Sequence, residues 1–157
     1  MNADTLNALS ERIIGCGFIV ANRLGSGFLE KVYENALAHE LRKAGLTVEE
    51  QQGVSVTYDD VIVGEYAADL LVEAAVVVEL KAVRALDDIH QAQCMNYLRA
   101  TGMHLCLHLN FGKPRLEIRR IVRNLRSYLR SSAVRSAAER TSPGTGERRR
   151  PMIYTNS

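Results

Sequence analysis

The chain has 157 residues, 46% hydrophobic and 24% charged, with a net charge of +2, which suits one domain built round one core. No apolar run approaches the roughly 18 residues needed to cross a bilayer, and the opening MNADTLNALSER lacks the basic-then-apolar order of a secretory signal; a cytoplasmic protein with no membrane role is expected. Cys16, Cys94 and Cys106 are too few and too widely spaced for a disulfide framework or a CxxC knuckle, and read as reduced core thiols.

Residues 4–24 carry Leu6, Leu9, Ile13, Val20 and Leu24 at helical spacing, with Gly25 as a stop and Gly15 and Gly17 as weakening features. A second helix is expected from a Ser26 cap to about Ala44, burying Leu29, Val32, Tyr33, Ala36, Leu37 and Leu41. From Val48 the period changes to that of strands. Val54, Val56 and Tyr58 alternate, Asp59-Asp60 suits a turn, and VIVGEYAADLLVE and VVVELKAV follow as apolar runs of the kind covered on both faces. These segments read as an antiparallel meander. Asp87 to about Ala100 returns to helix, MHLCLHLNF is another strand, and LEIRRIV one more. The order predicts an α/β sandwich round a mixed sheet, occupying residues 1–124.

Residues 125–157 read as a basic extension, with an amphipathic helix first and a disordered tail from about 141. Residues 1–112 hold 8 Lys/Arg against 15 Asp/Glu, whereas 113–157 hold 12 against 3. An acidic body beside a basic segment is compatible with a carboxylate metal site and phosphate contacts, and equally with a solubilising tail.

The chemistry concentrates in Asp69 and in Glu79-Leu80-Lys81. Glu79 and Lys81 stand two apart on a strand and so share a face. Paired carboxylates repel, which makes them poor core residues and good ligands for Mg²⁺ or Mn²⁺. The Leu80 carbonyl offers a third oxygen, and Lys81 is placed to hold a phosphate oxygen or the attacking water. An isolated ExK is more often a buried ion pair or an edge-strand pair, so the surrounding elements matter. Gln93 and Tyr97 share a helical face, with His90 near it, and Glu30 and Tyr33 share another after Gly27. His104, Cys106 and His108 alternate on one strand; a layer packed against a helix explains them better than zinc, which wants a fourth ligand.

GFLEKVYENAL resembles the signature of the bacterial GxxExxY family. GEYAADLLVE, VVVELKAV, HQAQCMNYLRATG and LNFGKPRLEIRRI resemble it in the same order, over about residues 5–123. That family is placed in the PD-(D/E)xK nuclease superfamily, near the RecB-like exonucleases with their QxxxY helix. The resemblance implies a restriction-endonuclease-like fold and a Mg²⁺- or Mn²⁺-dependent nuclease, DNA ahead of RNA. It makes Glu30 the helical acid, acting on the metal directly or through water, Asp69 and Glu79 the sheet ligands, Lys81 the catalytic lysine, and Gln93 with Tyr97 the helix motif. Ala68 stands where the superfamily name has Pro. The alternative is a catalytically weak nucleic-acid-binding or protein-interaction module on the same fold; homo-oligomerisation stays open.

Register supplies a geometric condition. A two-residue loop at Ala74-Ala75 would put Asp69 and Glu79 on opposite faces. A three-residue connection, Glu73-Ala74-Ala75, or a bulge, would bring them together. One of the latter is expected.

Overall fold

Two helices cover one face of a five-stranded sheet and a third covers the other. The computed structural model describes residues 1–123; the expected basic helix and tail fall outside them. Helix α1 (Ala3–Leu24) starts at Asn2, whose side chain accepts the Thr5 N–H at 2.8 Å. Its glycines do not break it. Gly17 is on the buried stripe, where a Cβ would come within 3.1 Å of Leu116 and 3.3 Å of Leu109, so the bare backbone lets the helix sit close to the sheet.

Helix α2 (Glu30–Lys43) begins three residues later than the Ser26 cap predicted, with Leu29 as its N-cap and no side-chain capping bond. Tyr33, Leu37 and Leu41 are fully buried, but Leu29 and Val32 lie on the exposed side. The later start follows from the loop before it. Gly25 and Gly27 take φ of 69° and 111°, a backbone path that a helix cannot follow and that only glycine adopts freely.

The sheet order is β1 (Val48–Tyr58), β2 (Val61–Val72), β3 (Val76–Lys81), β4 (Leu105–Asn110), β5 (Glu117–Val122). The first three strands form the antiparallel meander, β4 runs parallel to β3, and β5 is antiparallel to β4. Helix α3 (Asp88–Thr101) makes the crossover that a parallel pair requires. Asp87 caps it by accepting the Ile89 and His90 N–H groups, and Gly102 ends it at φ 75°. The result is the mixed-sheet α/β sandwich that the element order predicts.

Alternation along β3 separates two cores. Val76, Val78 and Leu80 pack with Tyr33, Leu37 and Ile13 under α1 and α2. Val77 packs with Cys94, Leu98 and Cys106 under α3. The start of β2 departs from expectation: Val61, Ile62 and Val63 are exposed. Of β2, only Leu70–Val72 pair with β3, so the far half of the β1–β2 hairpin runs beyond the covered sheet.

Candidate active site

The hairpin between β2 and β3 turns through three residues. Val72 pairs with Val76, and Glu73 and Ala74 adopt φ of 54° and 50°. This is the odd-length connection that the geometric condition required. The left-handed pair is steadied from outside: Glu73 N–H donates to the Thr47 carbonyl, and its carboxylate accepts the Thr47 N–H, both at 2.9 Å.

In that register the strands part after Leu70 and Val78. A continued ladder would give the Leu80 N–H to Ala68. It goes instead to the Asp69 carboxylate, at 2.8 Å. Asp69 is also skipped by the ladder on its other side, where Leu70 pairs with Glu50, Ala68 with Gln52, and the intervening Gln51 has φ 52°. Extending the Leu70–Val78 register sets Asp69 opposite Glu79, the pairing that a shared site requires. Ala68 and Leu71 both belong to the cluster under α3, so alternation breaks between them. The Asp69 carboxylate reaches the Leu80 N–H in the fork where β2 and β3 separate.

Glu79, on the α3 face, meets Asp69 there. The two carboxyl groups lie close together, with the Asp69 N–H near the Glu79 carboxyl. Burial, then the Asp69 charge, push the Glu79 pKa up to about 9. Leu80 adds a backbone oxygen. The N–H and C=O of one strand residue point to the same side. The Lys81 carbonyl accepts from Phe111 N–H on the β4 side at 2.8 Å, so the Leu80 carbonyl points the other way, into the fork.

Lys81 ends β3 and reaches round to the α2 side, where its ammonium lies 4.0 Å from the Glu30 carboxylate. Burial raises the Glu30 pKa; the Lys81 charge and the Ala82 N–H oppose the rise, while Asp69 adds to it. Tyr33 does not face this charge cluster. Its hydroxyl donates to the Gly25 carbonyl at 2.6 Å and accepts the Phe28 N–H at 3.2 Å, and its ring stacks on Phe111 at 4.7 Å. The spacing Gly27, Glu30, Tyr33 thus has a mechanical reading: tyrosine clamps the glycine loop that delivers the glutamate.

The structure separates Gln93 from Tyr97. Gln93 is exposed. Tyr97 is buried and its hydroxyl donates to the Gln52 carbonyl at 3.1 Å, pinning the β1 segment opposite Ala68. Burial, then the Glu79 charge, raise the Tyr97 pKa. Beneath α3, His108 lies beside Glu79 in the β3–β4 register, with Cys94 Sγ 3.6 Å from its Nδ1 and the His90 ring 5.7 Å away. The layer packed under a helix is therefore what Cys106 and His108 form. His104 lies outside the strand and bonds to the Arg123 carbonyl.

Asn110 stands in the LNFGKPRLEIRRI segment, but the sequence alone gives it no role. Its buried amide exchanges two hydrogen bonds with the Val83 backbone, at 3.0 and 2.9 Å, and also accepts the Gly112 N–H. Glu117 accepts the Leu86 N–H at 2.9 Å. Together they fix the segment between Lys81 and α3. A Cβ at Gly112 would fall 2.3 Å from the Val83 carbonyl. The available signal was an Asn-Phe-Gly run ending an apolar strand.

The donors suit a small hard cation. Among the described residues no group of three or more His, Cys, Asp or Glu side chains converges closely enough to hold a metal ion. Magnesium does not require one: it takes one or two carboxylates and keeps waters or substrate phosphates in its remaining positions. Asp69, Glu79 and the Leu80 carbonyl fit that pattern, whereas zinc would need further nitrogen or sulfur ligands.

The sequence pattern of the PD-(D/E)XK nuclease superfamily matches residues 7–121. The chain belongs to this superfamily. The match spans all the residues of the fork, Glu30 and α3. No curated protein matches the chain. Among solved structures, SSO0001 is 14% identical with a TM-score of 0.45, over 69% of this chain and 58% of that one. An alkaline exonuclease from Laribacter hongkongensis, LHK-Exo, is also 14% identical with a TM-score of 0.45, over 81% of this chain and 84% of that one. No helix among the described residues is long and apolar enough to cross a membrane.

Proposed function

We propose that this protein is a divalent-metal-dependent nuclease that hydrolyses phosphodiester bonds in DNA, of the GxxExxY type within its superfamily. The observation that carries the reading is the β2–β3 fork, where the Asp69 and Glu79 carboxyls and the Leu80 carbonyl meet with Lys81 alongside. Two carboxyls held together in a partly buried fork are costly unless a cation or proton neutralises them. Asp69, Glu79 and the Leu80 carbonyl would hold Mg²⁺ or Mn²⁺. When bound, the ion would polarise the phosphate and lower the pKa of a water.

The remaining roles fall to the chain's own groups. Lys81 supplies a fixed positive charge for the phosphate oxygens, on which negative charge grows during attack. Glu30 keeps that ammonium oriented and, through solvent, adds negative charge at the edge of the metal site. Tyr97 acts at one remove, holding the backbone beside Asp69 through Gln52. Gln93, exposed on α3, is a substrate contact in this reading.

Oligonucleotide and plasmid cleavage with Mg²⁺, Mn²⁺ and EDTA tests the proposal. The wild-type protein should cleave with either ion and stop in EDTA, and Lys81→Met should be inactive while still binding metal. Cleavage by Lys81→Met at the wild-type rate would remove the assignment.

A further inference from the structure

Resting on the nuclease reading, we infer that Leu29 and Ile89 are nucleobase contacts on either side of the reaction centre, and that the site takes an unpaired strand. They are the two most exposed large hydrophobic residues among those described, at 81% and 67%. Exposed apolar residues are common one at a time and need no explanation. These two are set apart by where they stand. Leu29 immediately precedes Glu30, whose carboxylate contacts Lys81. Ile89 immediately precedes His90, whose ring packs on His108 beside Glu79. Their helices cover opposite faces of the sheet, and each residue is the sequence neighbour of one that contacts the site or its border.

Local chemistry gives no structural reason for either residue. Leu29 is the N-cap of α2, a position where Ser, Thr, Asp or Asn would satisfy a backbone N–H; leucine makes no capping bond. Ile89 sits in the first turn of α3 in place of a polar residue, with its side chain in solvent. Their backbones are nevertheless pinned. The Leu29 carbonyl accepts the Val32 N–H at 3.0 Å, and the preceding Phe28 N–H is held by Tyr33. The Ile89 N–H donates to Asp87 at 2.9 Å. Apolar side chains displayed on fixed backbone at the edge of a phosphodiester site suit one part of a nucleic acid, the flat face of a base. Such packing tolerates any sequence, because every base has that face. In an intact duplex those faces are covered by stacking, so the contacts require a single strand or a frayed end.

Binding distinguishes base contact from phosphate contact without depending on cleavage. A single-stranded oligonucleotide and an abasic sugar-phosphate strand of equal length carry the same charges. With Ca²⁺ in place of Mg²⁺, the wild-type protein should bind the base-bearing strand at least tenfold more tightly than the abasic one. Leu29→Ser/Ile89→Ser should lose that preference by weakening the base-bearing strand alone, by the same factor. The double variant should melt no lower than wild type, because serine at position 29 can cap α2. Equal binding of both strands by the wild-type protein would overturn the inference, as would equal weakening on both strands in the variant. An intact base preference without cleavage in Mg²⁺ or Mn²⁺ would sink only the nuclease reading.

Discussion

Substituting Glu79 by Gln isolates the electrostatic consequence of building two carboxyls into the fork. Burial and the Asp69 charge place the Glu79 pKa at about 9, against an ordinary 4.5. The folded protein without metal therefore keeps a proton that the unfolded chain releases. Stability from this group is fully present below about pH 4.5 and is lost as pH rises toward 9, the reverse of a salt-bridged acid. At about 1.4 kcal/mol per pH unit, the loss between pH 6 and pH 8 is about 3 kcal/mol. The whole window from 4.5 to 9 corresponds to about 6 kcal/mol, less whatever is recovered when water enters the fork as Glu79 ionises. Urea unfolding in EDTA at pH 6, 7 and 8 measures it. Wild type should lose stability stepwise, whereas Glu79→Gln should be flatter by that amount, subtracting every other titrating group. Metal binding carries the same signature with opposite sign: an ion must displace the proton, so affinity should rise about tenfold per pH unit over this range. Parallel pH dependence in the two proteins would refute the reasoning, because it would mean that Glu79 is ionised in the fold without metal.

The other perturbations separate charge from backbone support. Asp69→Asn keeps an oxygen for the Leu80 N–H, so at neutral pH, where Glu79 already carries a proton, it should leave the metal-free fold close to wild-type stability while weakening metal binding in titration calorimetry. Asp69→Ala removes that oxygen as well and should cost about 1–3 kcal/mol in urea unfolding; equal stability of the two variants would contradict the fork geometry. Tyr33→Phe loses both hydrogen bonds on the glycine loop and should cost a similar 1–3 kcal/mol, with a slower cleavage rate because Glu30 is no longer fixed opposite Lys81. Removing residues 124–157, which carry seven Arg and two Glu, should make nucleic-acid affinity less dependent on salt, and an unchanged slope would take that segment out of phosphate contact.

Much of the fold was legible because it follows from period and spacing. The ExK strand, the capped crossover helix and the element order come from patterns of 2.0 and 3.6. The three-residue hairpin follows from asking which loop lets two acids meet, although neither Glu73 nor Ala74 is a residue that favours positive φ. Other features depend on neighbours remote in sequence. The break in the β1–β2 ladder beside Asp69 involves Gln51, an ordinary-looking residue held left-handed one strand away. Tyr97 turns from a motif partner of Gln93 into a brace because the Gln52 carbonyl lies within its reach. The exposure of Leu29 reflects two glycines delaying the helix start, which displaced the apparent apolar stripe. Asn110 is buried and satisfied only because Val83 folds back over it, a return that no local pattern marks.

The fork also explains why the ligands stand where they do in the sheet. In a continuous antiparallel ladder the Leu80 N–H and carbonyl would both be used by Ala68, and no backbone oxygen would be free. Parting the strands at Leu70 and Val78 releases both groups at once. Left unpaired in a buried strand, the N–H alone would cost about 1–3 kcal/mol. Asp69 accepts it, and in doing so its carboxylate is fixed beside the released carbonyl and the Glu79 side chain. One backbone interruption thus supplies an oxygen ligand, a bond that orients a second, and the proximity that raises the affinity of the third for a proton or a cation. Lys81, one residue beyond, returns to the sheet through Phe111, so its backbone is held by β4 while its side chain stays available to the fork. A regular ladder through Asp69 and Glu79 would have kept the sequence motif and removed the site.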